Sequence, residues 1–321
     1  MTTTIIDADS KNTIYTGLST DSKPTPIITY SGEPRISIFY ETDTKDIYRH
    51  DGSSWAMVES SSRQMVSDPM LDISEGVVVG RKTVTKFGRA VAGIQTTATD
   101  IWDRADATPT QQIWLAPTAA RIHTISSDSA SDVSGGTGAT TVVVSYLADW
   151  DTAETTETVS GDLNAGIAMS NAAVMIHRMK VAPQATSTTP NVGTIIATAA
   201  TDTTITAQIN PGDGQTQMAI YGIPSTQSFL MEQFYATINK SSGVVGTINF
   251  SLVVNPNPDV QTLAFLTKNT RGLQSTGQSS DDFPFNPPFK ITGPAIIKLQ
   301  GIASAADIEA SGGFDGVVVD N

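Results

Sequence analysis

From about residue 77 onward, apolar and polar residues interchange in short runs rather than at helical spacing. In Asn249-Phe250-Ser251-Leu252-Val253-Val254 the alternation puts Phe250 and Leu252 on one face, as in a half-buried strand. Strand-like runs fall at 82–87, 112–116, 120–126, 140–147, 154–160, 173–182, 193–199, 203–209, 217–222, 228–238, 244–254, 289–299 and 314–319. Between them lie turn residues, among them Asp149-Trp150-Asp151, Asn210-Pro211-Gly212-Asp213-Gly214 and Ser241-Ser242-Gly243. Helix caps and a 3.6-residue period are almost absent. The pattern predicts an all-β chain whose body, 77–321, is a β-sandwich or jelly-roll. Within it, 228–238 and 244–254 are expected to form a hairpin, and the Thr-rich stretch 183–204 offers a division into two stacked β-units. The Ser/Asp/Gly block from Ser126 to Ala139 reads as a long, solvated connection between strands.

Upstream, 36–58 holds three short β-rich runs separated by turn chemistry, which predicts a small β-meander. Three strands are too few to be stable alone. Phe39, Tyr48 and Trp55 are therefore the expected packing residues, covered by a neighbouring subunit or by the chain's own body. Residues 1–35, broken by Pro24, Pro26 and Pro34, read as an extended attachment arm, and 59–76 as a linker with one helical turn at 68–73.

Composition narrows the partners. Hydrophobic residues make up 39% of 321, enough to bury a core, and only 16% are charged. A net charge of −13 and a pI near 4.5 argue against a nucleic-acid backbone as partner. The basic residues are scattered, and no stretch has the length of a membrane span, so no membrane partner is expected either. The N-terminus shows no recognisable export signal. The chain has no cysteine, which excludes disulfides and thiolate chemistry.

Little suggests catalysis. Of the histidines His50, His123 and His177, the last two follow Ile122 and Ile176 in strand-like runs. With those isoleucines in the core, each His faces solvent or a neighbour. No nucleophile elbow is present. Carboxylate pairs such as Asp149/Asp151, Glu154/Glu157 and Asp281/Asp282 read as solvated turns, and the chain is expected not to be an enzyme. The Asp213 turn lacks a calcium loop's ligand spacing, and the two carboxylates of the Asp128/Asp132 loop, set among Ser and Gly, read as solvated, so no metal and no cofactor is expected. Trp102, Trp114 and Trp150 are the aromatics to weigh as receptor contacts, against a role in packing.

The order Glu41-Thr42-Asp43-Thr44, Ile47-Tyr48, Asp51-Gly52 and Trp55 resembles the small β-module that recurs in bacteriophage virion structural proteins. The body is similar to podovirus-like structural proteins in its landmarks. These are Gly80-Arg81-Lys82 to Phe87-Gly88, Ile101-Trp102-Asp103, the Ser126 to Ala139 loop, Tyr221-Gly222-Ile223-Pro224, and Phe283 to Phe289. The resemblance implies a virion location and a structural role, as a capsid decoration or head fibre, or else as a tail fibre that meets the host surface. It also implies other virion proteins as partners, capsid or tail, and self-association as a homotrimer through the meander.

Overall fold

The computed structural model describes the chain except residues 1–3, 9–11, 26–28, 31–32, 35, 45, 51–52, 60–68, 106–111, 183–189, 240–244 and 261–263. For 4–8, 12, 29–30, 33–34, 36, 59 and 69 it describes the backbone alone. The chain divides into two compact units, Met1–Val77 and Val78–Asn321.

The first unit holds β1 (Thr4–Ala8), β2 (Asn12–Gly17), β3 (Thr29–Tyr30), β4 (Glu33–Pro34), β5 (Ile36–Glu41), β6 (Ile47–His50), β7 (Trp55–Glu59) and α1 (Pro69–Ser74). Its main sheet has the order β1-β2-β5-β6-β7, with β2 and β5 parallel. The meander is thus enlarged by two strands from the segment read as an arm. In β2, Thr13, Tyr15 and Gly17 point inward while Ile14 and Thr16 stand half-exposed, a period of two that makes this segment a strand and not a tether. Five strands give the apolar face the area that three lack.

The second unit holds β8 (Arg81–Ile94), β9 (Thr99–Asp100), β10 (Arg121–Ser127), β11 (Thr141–Leu147), β12 (Thr155–Ser160), β13 (Ile167–Ala173), β14 (Met175–Val181), β15 (Ile195–Ala199) and β16 (Ile205–Ile209). It continues with β17 (Ile220–Ile223), β18 (Gln227–Ile238), β19 (Thr247–Asn255), β20 (Leu266–Gln274), β21 (Ser280–Thr292), β22 (Ala295–Ala303) and β23 (Ile308–Asp320). Among the described residues its helix is limited to isolated turns, and the fold is an all-β, sandwich-like one.

Its sheets are nested. Strands β10 to β16 form two of them, β13-β10-β15-β16 and β12-β11-β14. The strands before and after that block form the other two, β21-β18-β23-β8 and β17-β22-β19-β20, with β9 on β22. One continuous hydrophobic core serves all four. Strand β22 is buried on both faces over Ala295–Leu299, whereas β10 and β11 alternate.

Several expectations are corrected. Strands β18 and β19 are not a hairpin: β18 pairs with β21 and β23, and β19 with β20 and β22. The Ser241-Ser242-Gly243 turn lies outside the described residues. The sheets do not divide at 183–204, because β15 bonds to β10 and β16; they change after Ile209. Residues 112–116 are not a strand, and 289–299 is two strands, β21 and β22, separated at Gly293-Pro294. Strand β20 was not foreseen.

Candidate functional site

A polar concavity of the second unit lies where β8 of one sheet pair meets β11 and β14 of the other. It is a cavity of about 220 Å³ lined by Lys82 and Lys86 from β8, Ser145 from β11, Glu154, His177 and Arg178, and Tyr221 from β17. Alternation along β8 sends Lys82, Val84 and Lys86 to the inner side, and Lys86 is only 4% exposed. Glu154 stands just ahead of β12, at the end of the turn whose Asp149 carboxylate accepts the amides of Asp151 and Thr152.

His177 is the hub. Its Nε2 accepts the amide of Gly222 at 3.2 Å, so Nδ1 carries the hydrogen and donates to Glu154 Oε2. The ring stacks on Tyr221 with centroids 4.3 Å apart. Gly222 permits this approach: a Cβ there would lie 3.0 Å from Met175 Cγ and 3.3 Å from His177 Nε2. Burial lowers the His177 pKa, against the pull of Glu154, which agrees with the neutral ring that the Gly222 bond requires. Burial alone would raise Glu154. The His177 hydrogen bond and the charge of Lys82, whose Nζ lies 3.3 Å away, outweigh it and hold the carboxyl below its usual range. Lys86 donates to the His177 carbonyl. Burial, then the nearby charge of Arg178, bring its ammonium down to about 7.

Carboxylate, imidazole and a nearby Ser145 are the residue types of a hydrolytic triad. The geometry is different, because the ring nitrogen that would serve a nucleophile is occupied by a backbone amide. The arrangement fixes a neutral ring and collects cations around it.

The other polar centres are tied into the fold. Asp132, fully buried, accepts from Ser127 Oγ at 2.6 Å and from the amides of Ala139, Val192 and Gly193 at 2.7, 2.9 and 2.8 Å. Its loop is therefore ordered around a carboxylate, contrary to the solvated connection expected. Gly138 is required at this point, since a Cβ would stand 1.9 Å from Asp132 Oδ1. Asp100, also fully buried, takes Lys298 Nζ at 2.6 Å, Gln300 Nε2 at 2.9 Å and the Trp114 amide at 2.7 Å. Arg89 joins Asp103 at 2.9 Å and Asp213, and burial raises Asp103 to about 6 despite Arg89.

The histidines do not face solvent as expected. His123 is buried because β10 turns His123, Ile125 and Ser127 inward and leaves Ile122 half-exposed; the alternation holds but the faces are reversed. His177 is buried because it lies on the inward face of β14 with Met175, Met179 and Val181, whereas the face of Ile176 opens through half-exposed Arg178 to exposed Lys180. Of the tryptophans, Trp102 and Trp114 are 2% and 1% exposed and cannot meet a receptor without unfolding. The Trp114 indole donates to the Thr206 carbonyl at 2.8 Å. Trp150, half-buried against the core, retains some surface.

In the first unit Phe39 is fully buried. Trp55 packs edge-on against Tyr15 and Phe39, each with centroids 6.1 Å away, and its Nε1 donates to the Pro24 carbonyl at 3.0 Å. Lys23 Nζ lies 3.6 Å from the Tyr48 ring and pairs with Glu41 at 2.9 Å. Residues of the N-terminal segment thus pack on all three, which leaves Phe39 buried and Tyr48 and Trp55 half-exposed. What the unit leaves open is β7, where Ala56, Met57 and Val58 are exposed in succession. That row was legible only once β7 was known to be an edge.

No protein family matches the chain, and no curated protein matches it. Among solved structures, "Structure of infectious bursal disease virus Gx strain" aligns at 11% identity over 75% of this chain and 71% of that one, with a TM-score of 0.19. "The 2.6A structure of Infectious Bursal Virus Derived T=1 Particles" aligns at 12% identity over 79% and 75%, with a TM-score of 0.16.

Proposed function

We propose that the chain is a non-enzymatic structural protein of a bacteriophage virion, attached to the capsid as a decoration or head-fibre protein and acting through assembly. The observation that carries this reading is the commitment of its polar centres. Both nitrogens of His177 and the oxygens of Asp132 and Asp100 are held by donors and acceptors of the fold itself. What remains for contact with other proteins is surface and strand edge. The resemblance of 36–58 to phage virion modules, the all-β build and the acidic charge accord with it. Its partners are other virion proteins and itself, as a homotrimer. The edge of β7, with Met57 and Val58 exposed, is the contact in place of the buried Phe39, beside the half-exposed Tyr48 and Trp55. Trp150 keeps a second reading open, a tail fibre whose body meets the host surface, because it alone of the three body tryptophans is only half-buried. Gold-labelled antibody on intact virions separates the two: label on heads supports the first reading, label on tails the second, and unlabelled virions overturn both.

A further inference from the structure

We infer that the cavity between β8 and β14 is a binding site for a small oxyanion, a sulfate, phosphate or carboxylate group, held by Lys86 and Arg178. In a chain of net charge −13 this cavity gathers Lys82, Lys86 and Arg178 against one carboxylate, Glu154. That carboxylate is already engaged by His177 and Lys82. Lys86 makes no ion pair among the described residues. Its ammonium spends one donor on the His177 carbonyl, and its other two have no acceptor among the described residues although the side chain is buried. A buried cation with unspent donors beside a polar cavity lacks a counter-charge, which a bound oxyanion supplies with charge-assisted hydrogen bonds. Arg178, half-buried at the same wall, donates to the Thr85 carbonyl at 3.3 Å and keeps further donors for the ligand. His177, fixed as a neutral ring by Gly222, adds no charge, and together with Lys82 it occupies the Glu154 carboxylate.

At about 220 Å³ the cavity is below the ~300 Å³ of pockets that take drug-sized ligands. The ligand is therefore a small ion or the charged end of a larger molecule. Affinity should rise as pH falls through the range where Lys86 gains its proton. The groups that face Lys86 are Lys82 on its own strand, His177 and Arg178 on β14, Glu154 ahead of β12, and Tyr221 on β17. None of the other five is placed to reverse that direction: Glu154 is already ionised, and burial holds the His177 ring and the Tyr221 hydroxyl neutral.

The test is an NMR titration of the purified full chain with sodium sulfate, which does not titrate near neutrality, and separately with sodium glucuronate. Sulfate binding marks a site for free tetrahedral ions. Binding of glucuronate alone marks a site for the carboxylate of a larger ligand. Both are expected to be tighter at about pH 6 than at about pH 8, and weaker by roughly tenfold or more in Lys86→Met and in Arg178→Gln. Lys290→Met, which removes an exposed charge on β21, leaves binding unchanged. Neither probe binding below about 10 mM, or affinity retained in folded Lys86→Met and Arg178→Gln alike, overturns the inference.

Discussion

Replacing Lys86 by methionine is expected to stabilise the second unit near neutral pH and to flatten part of its pH dependence. Burial, with Arg178 adding to it and Glu154 opposing, takes the ammonium from 10.5 to about 7. The unfolded chain keeps this proton up to about pH 10. Between about 7 and 10 the unfolded state therefore binds one more proton, and stability rises with pH by up to about 1.4 kcal/mol per unit; below about 7 the lysine's penalty is constant and largest. The full shift corresponds to roughly 5 kcal/mol, from which about 1–3 kcal/mol is subtracted for the His177 carbonyl that methionine leaves without its donor. A net gain of about 2–4 kcal/mol is expected at pH ~7, falling close to zero at pH ~9, where the lysine is neutral in the folded protein. Urea unfolding followed by tryptophan fluorescence reads both, since Trp102, Trp114 and Trp150 all lie in this unit. A less stable Lys86→Met at pH ~7, or curves for variant and wild type that stay parallel from pH ~7 to ~9, would refute the reasoning.

Asp132→Ala removes the acceptor of four donors at once and is expected to cost about 3–5 kcal/mol in urea unfolding, with faster hydrogen exchange at Ala139 and Gly193. Lys298→Ala strands the buried Asp100 carboxylate and should cost about 3–5 kcal/mol, much of it recovered in Asp100→Asn/Lys298→Met; equal losses in single and double variants would show that the charge is not the cause. Light scattering of the wild type at micromolar concentration is expected to report an oligomer and of Val58→Lys a monomer, because a charge on the β7 edge blocks strand addition; a monomeric wild type removes the proposed trimer.

Much of the strand content was legible because β-branched runs such as Thr141 to Leu147 alternate cleanly and end at turn residues. Pairing was not legible. Adjacency in sequence suggested that β18 meets β19, but β18 finds its partners roughly 50 and 80 residues downstream, and alternation within a strand carries no information about which strand lies beside it. Strand β20, Leu-Thr-Lys-Asn-Thr-Arg-Gly-Leu-Gln, was invisible because it is an exposed strand held by its bonds to β19. The candidate site was hidden for another reason. Alternation along β14 does not say which of its faces is inside; with Ile176 read as the core residue, His177 reads as a surface residue, although Met175, His177, Met179 and Val181 form the buried face. Asp132 looked solvated because its four donors come from segments up to 61 residues away. What could have been suspected is Lys86, a cation between Thr85 and Phe87 that alternation puts on the same side of the strand as Val84 and Gly88.

The place of β23 bears on the order in which the chain can fold as it is synthesised. That strand lies between β18 and β8, so the sheet they share has no middle until residues 308–320 leave the ribosome, more than 200 residues after β8. The block from β10 to β16 has all its partners within itself and can close while the remainder is being made. Until then β8 waits with both edges open, which makes late synthesis the interval of greatest exposure to aggregation. A ribosome that stops short of β23 would release a chain with one finished sheet pair and one that can never close.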